Sequence, residues 1–305
     1  MEEPQHEERV SNFWLHDGEI RLFWKMSSYM TVFFVLFTVA YLVSRPLLSF
    51  MDWRITNPLL MLIAAVLATL FLLSVSGKRN LWDETGLRPA RQGGRDLLLG
   101  FTVAGVMMGA LVLLELLFGG ARINSVHLTA AYVAELLLLS LFGFTLVGFA
   151  EEILMRGYPF TVLQRQGSTV LALLLTSVLF SLMHGFNPDI SWLGFGNIFL
   201  AGIWLGTARL VTGTLWLAIG MHTGWNFFLG TVFGFPVSGI HERSLLITET
   251  TGPEILSGGN FGPEGGLLAT AVLPLGTGAL LLPSVRRSLG AVPPSHSQET
   301  NEDTP

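Results

Sequence analysis

Apolar runs long enough to cross a bilayer recur along this chain. They fall at 28–48, 58–77, 97–119, 140–163, 169–187, 195–211, 214–233 and 266–284. A hydrocarbon core about 30 Å thick needs about 20 residues of helix, at about 1.5 Å per residue. Inside lipid the backbone must satisfy its own hydrogen bonds, and a helix does this within one segment. Only 13% of the 305 residues are charged and 50% are hydrophobic, whereas a soluble chain carries about 25% charged residues. The expected fold is all-α: a polytopic membrane helix bundle with about eight transmembrane helices. The fourth run is the awkward one, because apolar sequence extends from Leu128 to the connector near Arg165. Either one long tilted helix covers 128–163, or a lead-in at 128–139 precedes the span. Gly143 and Gly148 are the points where such a helix could bend.

Lysine and arginine set the expected orientation. With the N-terminus in the cytoplasm, the inside segments hold 13 of them and the outside segments 4. Both termini are then cytoplasmic, the 234–265 loop lies outside, and a cell membrane of bacterial type suits the composition and length. Cysteine is absent, which removes disulfides and thiolate metal sites. A net charge of −5 with no basic stripe argues against nucleic acid as a partner. Membrane lipid is the expected surrounding. The polar, partly acidic residues before the first run do not read as a cleavable signal peptide. From about Pro293 the chain reads as a disordered tail.

Ionisable groups inside the apolar zone cost several kcal/mol or more at mid-depth, so they are the first functional candidates. The strongest group runs Phe149-Ala150-Glu151-Glu152-Ile153-Leu154-Met155-Arg156-Gly157. Glu152 and Arg156 are four apart and can pair on a helix. Glu151 is turned about 100° from Glu152, and is left free for proton chemistry. A second element is Phe180-Ser181-Leu182-Met183-His184-Gly185, and a third is His222-Thr223-Gly224-Trp225-Asn226. Measured from their connectors at about 1.5 Å per residue, Glu151 and Asn226 lie about 18 Å deep, His184 about 22 Å and His222 about 12 Å. The four therefore converge in one layer near the bilayer middle. A buried carboxylate such as Glu151, with His184, can activate water against a peptide carbonyl. His222 and Asn226 can donate to the developing oxyanion. Glu151, His184 and His222 are equally a donor set for a divalent metal such as zinc, and the sequence leaves metal and metal-free mechanisms open. The soluble zinc-peptidase motif His-Glu-x-x-His is absent.

These three elements resemble the CPBP family of intramembrane peptidases, which includes CAAX-prenyl proteases and bacteriocin-processing or immunity proteins. The family pattern is Glu-Glu-x-x-x-Arg, then Phe-x-x-x-His, then His-x-x-x-Asn or Asp, and all three occur here in order. Asn197-Ile198-Phe199 and Thr212-Gly213-Thr214-Leu215-Trp216 also look family-like. The resemblance implies a catalytic Glu151 with His184 beside it, an oxyanion- or metal-binding His222 and Asn226, and supporting Glu152 and Arg156. The implied activity is cleavage of a membrane-associated peptide or protein. A prenylated CAAX end is the substrate of some members only. The chain then divides into an N-terminal tail (1–27), an N-terminal transmembrane region (28–139), a catalytic CPBP-like core (140–233), an outer loop (234–265), a last transmembrane helix (266–288) and a tail (289–305).

Two rival readings stand beside this one. A non-catalytic immunity or scaffold protein of the same fold is the first, since fold does not settle function. A proton-coupled transporter is the second, and it would have Glu115 and Glu135 lining a pore with the motif residues. Otherwise those two read as helix-packing or interfacial groups, and Arg209 as a snorkelling side chain. Trp53, Trp82 and Trp192 fall where interfaces are expected. The stretch Ser257 to Gly266, with five glycines in ten residues, lies outside the family pattern and reads as a packed, turn-rich loop rather than a flexible cap.

Overall fold

The computed structural model describes residues 13, 15–16, 19–48, 50–76, 80–89, 92–127 and 129–290. The expected C-terminal tail beyond Gly290 and most of the N-terminal one lie outside the described residues. The chain is a bundle of helices. In order they are α1 (Leu22–Leu47), α2 (Trp53–Val75), α3 (Leu81–Thr85), α4 (Gly93–Leu117), α5 (Ala130–Arg156), α6 (Tyr158–Gln166), α7 (Thr169–Met183), α8 (Trp192–Thr212), α9 (Trp216–Asn226), α10 (Glu254–Ser257), α11 (Leu267–Leu281) and α12 (Pro283–Ser288).

Each of the eight apolar runs holds a helix. Among the described residues, five stretches are long and apolar enough to cross a membrane: α1, α2, α4, the Ala130–Gln166 run and α8. Helices α7 and α11 are apolar but shorter. Helix α9 has only 11 residues and continues as a π-helical turn, Phe227–Val232. Every residue from Leu217 to Asn226 is buried, so α9 is wrapped by protein rather than by lipid. It packs against α4, α5 and α8.

The long fourth run is divided differently from either expectation. Helix α5 passes through Gly143 and Gly148 without interruption and ends at Gly157, where φ/ψ is −79°/−119°. Pro159 then opens α6, in the first turn where its missing N–H costs nothing. Gly148 serves helix packing instead of bending. A Cβ there would lie 2.7 Å from Thr223 Oγ1, so its hydrogen lets α9 approach α5.

Helices α4 and α9 touch through their backbones. A Cβ at Gly220 would lie 2.0 Å from Leu97 O, and one at Gly100 2.3 Å from Leu217 O. Small residues at a helix contact permit this close approach, which is how helices associate inside a bilayer.

Short strands occur where the sequence suggested only loops. Strands β1 (Leu15–His16) and β2 (Glu19–Ile20) pair antiparallel. Strands β3 (Ala121–Val126) and β4 (Leu246–Thr250) also pair antiparallel, with a shift in register between Ile123 and Ser125. The second pair ties the 234–265 loop to the end of α4. The stretch 257–266 is packed as expected: Ser257, Gly258 and every residue from Phe261 to Gly266 are buried.

Trp53, Trp82 and Trp192 are exposed at 49%, 52% and 92%, which suits side chains at a membrane interface. Arg209 departs from expectation. It does not snorkel but is buried against Gly86, whose missing Cβ makes room for the guanidinium.

Candidate active site

Glu151 and Glu152 lie near the C-terminal end of α5. Neighbours on a helix point about 100° apart, and the two carboxylates meet different surroundings. Glu152 is fully buried. Its Oε1 accepts from Arg156 Nη1 at 3.0 Å and from His222 Nδ1 at 3.0 Å. Arg156 Nη2 donates to Gly202 O at 3.1 Å, and its guanidinium lies 4.4 Å from the centre of the Phe180 ring. Gly202 allows this closeness of α7 and α8, since a Cβ there would sit 2.8 Å from Ser177 Cβ. One buried ion pair thus joins α5, α7, α8 and α9.

Glu151 faces a cavity of about 360 Å³. Its Oε2 is 3.9 Å from His184 Nε2 and 3.7 Å from His222 Nε2. His184 caps the C-terminus of α7, and its Nδ1 is 2.8 Å from Phe180 O. A carbonyl only accepts, so Nδ1 carries the proton and Nε2 is left to face Glu151. His222 is oriented the same way by Glu152. Phe180 packs between the two histidines, with ring centres 4.7 Å and 5.9 Å away. Asn226 lines the same cavity one turn after His222. The six sequence candidates are therefore gathered at one place. Glu151, His184, His222 and Asn226 line the cavity, and Glu152 and Arg156 lie buried behind it.

The donor types of Glu151, His184 and His222 suit zinc, but their spacing does not. Tetrahedral ligands at about 2.0–2.1 Å from an ion lie about 3.3 Å from one another, closer than the 3.7 Å and 3.9 Å found here. Among the described residues, no three His, Asp or Glu side chains form a group that holds a metal ion.

The wall of the cavity is mixed. Phe37, Met61, Trp204 and Leu205 give it an apolar side, and Asp52, Arg54, Asn187, Glu242 and Arg243 a polar one. Arg54 Nε meets Glu242 Oε2 at 2.6 Å, which links α2 to the 234–245 loop. Burial pushes the Glu242 carboxyl up to about 7, against the opposing pull of Arg54.

Neither Glu115 nor Glu135 lines the cavity. Glu115 is fully buried near Gly120, and Glu135 pairs with Arg243 at 3.3 Å. The arrangement expected of a transporter pore is not the one found. Sequence reading missed Glu264, a buried carboxylate that also lines the cavity. Its one signal was a lone acid in a glycine-rich stretch beside an apolar run.

Residues 133–228 match the family model described as Type II CAAX prenyl endopeptidase Rce1-like. No curated protein matches the chain. The matched stretch contains all three motifs and each of the six residues gathered at the cavity. Residues 133–228 of this multi-pass membrane protein are thus similar to the CAAX-type prenyl endopeptidases that the family model describes.

Proposed function

We propose that the chain hydrolyses a peptide bond of a membrane-associated peptide by a metal-free mechanism in which Glu151 is the general base. The observation that carries the reading is the meeting of Glu151 Oε2 with two imidazole Nε2 atoms at 3.9 Å and 3.7 Å. An ionised carboxylate and two neutral imidazoles all accept hydrogen bonds. They are too far apart to bond directly. A water molecule among them donates to Glu151 and to one histidine and keeps a lone pair for attack.

The water oxygen attacks the peptide carbonyl carbon and its proton passes to Glu151. The carbonyl oxygen becomes an oxyanion. Asn226 Nδ2 donates to it, while His222 stays neutral with its Nδ1–H kept on Glu152. The C–N bond then breaks, and Glu151 returns the proton to the departing amine. Glu152 and Arg156 hold His222 in orientation. The apolar side of the cavity favours a lipid-linked or apolar peptide segment. The positive-inside count supports cytoplasmic termini in a cell membrane.

The test is cleavage of a mixed library of lipidated and unlipidated C-terminal peptides by detergent-purified protein, read by mass spectrometry. Wild type is expected to cut a subset, and Glu151→Ala and His184→Ala to remain folded and cut none. Normal cleavage by either variant would overturn its assigned role. A cellular phenotype indifferent to Glu151 would favour the scaffold reading.

A further inference from the structure

We infer that Glu264 is a positioning residue: its carboxylate anchors the α9 turn carrying His222 and Asn226 to the cavity wall, and the 257–266 stretch serves to deliver that carboxylate. The inference rests on the proteolytic reading of the site proposed above.

Glu264 is only 6% exposed, and both of its oxygens are engaged. Oε1 accepts from Trp225 Nε1 at 2.8 Å. Oε2 accepts from the Ser238 backbone N–H at 2.6 Å and from its hydroxyl at 2.9 Å. Trp225 stands between His222 and Asn226 in the motif, at the point where α9 gives way to the π-helical turn. An anchor on its indole therefore fixes the height and rotation of the residues on either side. Ser238 has φ of +47°, a conformation uncommon for a residue other than glycine. Bonds to both its N–H and its hydroxyl hold it there, and its carbonyl accepts from Asn187 Nδ2 at 3.0 Å. Asn187 follows His184 by three residues, so one carboxylate connects the surroundings of both histidines.

The stretch that carries Glu264 is built to fix it. Asn197 Nδ2 donates to Glu264 O at 2.8 Å and to Gly266 O at 2.9 Å. Gly258 and Gly262 take φ of +74° and +93°, and a Cβ at either would strike backbone carbonyl oxygen, at 1.8 Å and 2.5 Å. These glycines let the chain fold under the cavity tightly enough to present a charge from below. Three donors aimed at one carboxylate need an acceptor at both oxygens. An amide offers one acceptor, and its NH₂ opposes either the indole N–H or the backbone N–H.

The experiment compares wild type with Glu264→Gln, Trp225→Phe and the double variant in purified full-length protein. The probes are a farnesylated C-terminal peptide and its unlipidated form, and hydrogen exchange is followed over 222–232. Glu264→Gln is expected to lower kcat about 10–100-fold, the range seen when support of a reacting residue is removed. KM should stay within about threefold, because ground-state binding is untouched. Trp225→Phe should lower kcat in the same direction, and the double variant should be no worse than Glu264→Gln alone. Exchange across 225–232 should rise in both single variants. Wild-type kcat in Glu264→Gln, a change in KM alone, or multiplicative losses in the double variant would overturn the inference. If Glu264→Gln does not fold, Trp225→Phe decides it: wild-type kcat or exchange there is enough for rejection. If neither probe is cut, the exchange result alone decides. Glu151→Gln run in parallel separates the two ideas. A dead Glu151→Gln beside a normal Glu264→Gln removes only this inference, whereas an active Glu151→Gln removes the proteolytic assignment itself.

Discussion

Glu152 and Arg156 both carry their charges at 0% exposure. Two ions taken out of water gain little net stability from each other, but removing one strands the other. Arg156→Ala is therefore expected to cost about 3–5 kcal/mol of stability, read as a fall in melting temperature or loss of monodisperse protein in detergent. Arg156→Lys should recover only part of this, because an ammonium cannot hold Glu152 and Gly202 O in one plane as the guanidinium does. Glu151 is different: its Oε2 bonds no protein group, so Glu151→Gln should leave the melting temperature almost unchanged while activity disappears. At this scale the sequence was readable where contacts are local. The four-residue spacing of Glu152 and Arg156 foretold their pairing. The bond from His222 to Glu152 spans 70 residues, and no local pattern encodes it. Depth counting placed His222 shallower than Glu151, yet the two meet, because α9 is a short internal helix that need not start at the membrane surface.

Helix α9 is held by what its neighbours lack. With Leu97 O only 2.0 Å from a Cβ at Gly220, Gly220→Ala must push α4 and α9 apart. The expected loss is about 3 kcal/mol, the upper end of ordinary overpacking, with activity falling as His222 and Asn226 move with α9. A thermal melt of the variant beside Gly94→Ala, where a Cβ meets nothing, checks this; equal melting temperatures would contradict it. The 234–245 loop carries a pH-dependent link. Glu242 titrates at about 7, above its ordinary value of 4.5, so the folded protein holds an extra proton between those values. The stability this contributes is full below about pH 4.5 and is lost as pH rises through about 7. Glu242→Gln should flatten that part of the stability curve, and an unchanged slope between pH 5 and 8 would contradict this link. Apolar run length located the helices, because lipid leaves the backbone no alternative. It did not locate the break at Gly157 or the strand pair β3–β4. Those depend on the loop from Phe233 onward folding back to the end of α4, which is a tertiary matter.

For the whole molecule, the bundle buries a short helix, α9, so that its polar end and that of α5 meet the cap of α7 at one cavity. Hydropathy foretold the bundle, and the three motifs foretold that Glu151, His184, His222 and Asn226 come together at one place. Glu264 escaped because its partners lie 26 and 39 residues away. The matched stretch ends at residue 228, so no motif extends to it. The spacing of Glu151 from the two histidines suits a shared water better than an ion, and activity is accordingly expected to survive a strong chelator. The most direct measurement is single-turnover cleavage of a peptide substrate by protein reconstituted in bilayers, comparing wild type, wild type with chelator, and Glu151→Gln of equal melting temperature. A glutamate base predicts unchanged rates with chelator and a loss of at least about a thousandfold in Glu151→Gln, as when a residue essential to activating the nucleophile is removed. Cleavage by Glu151→Gln at a rate near that of wild type would contradict it.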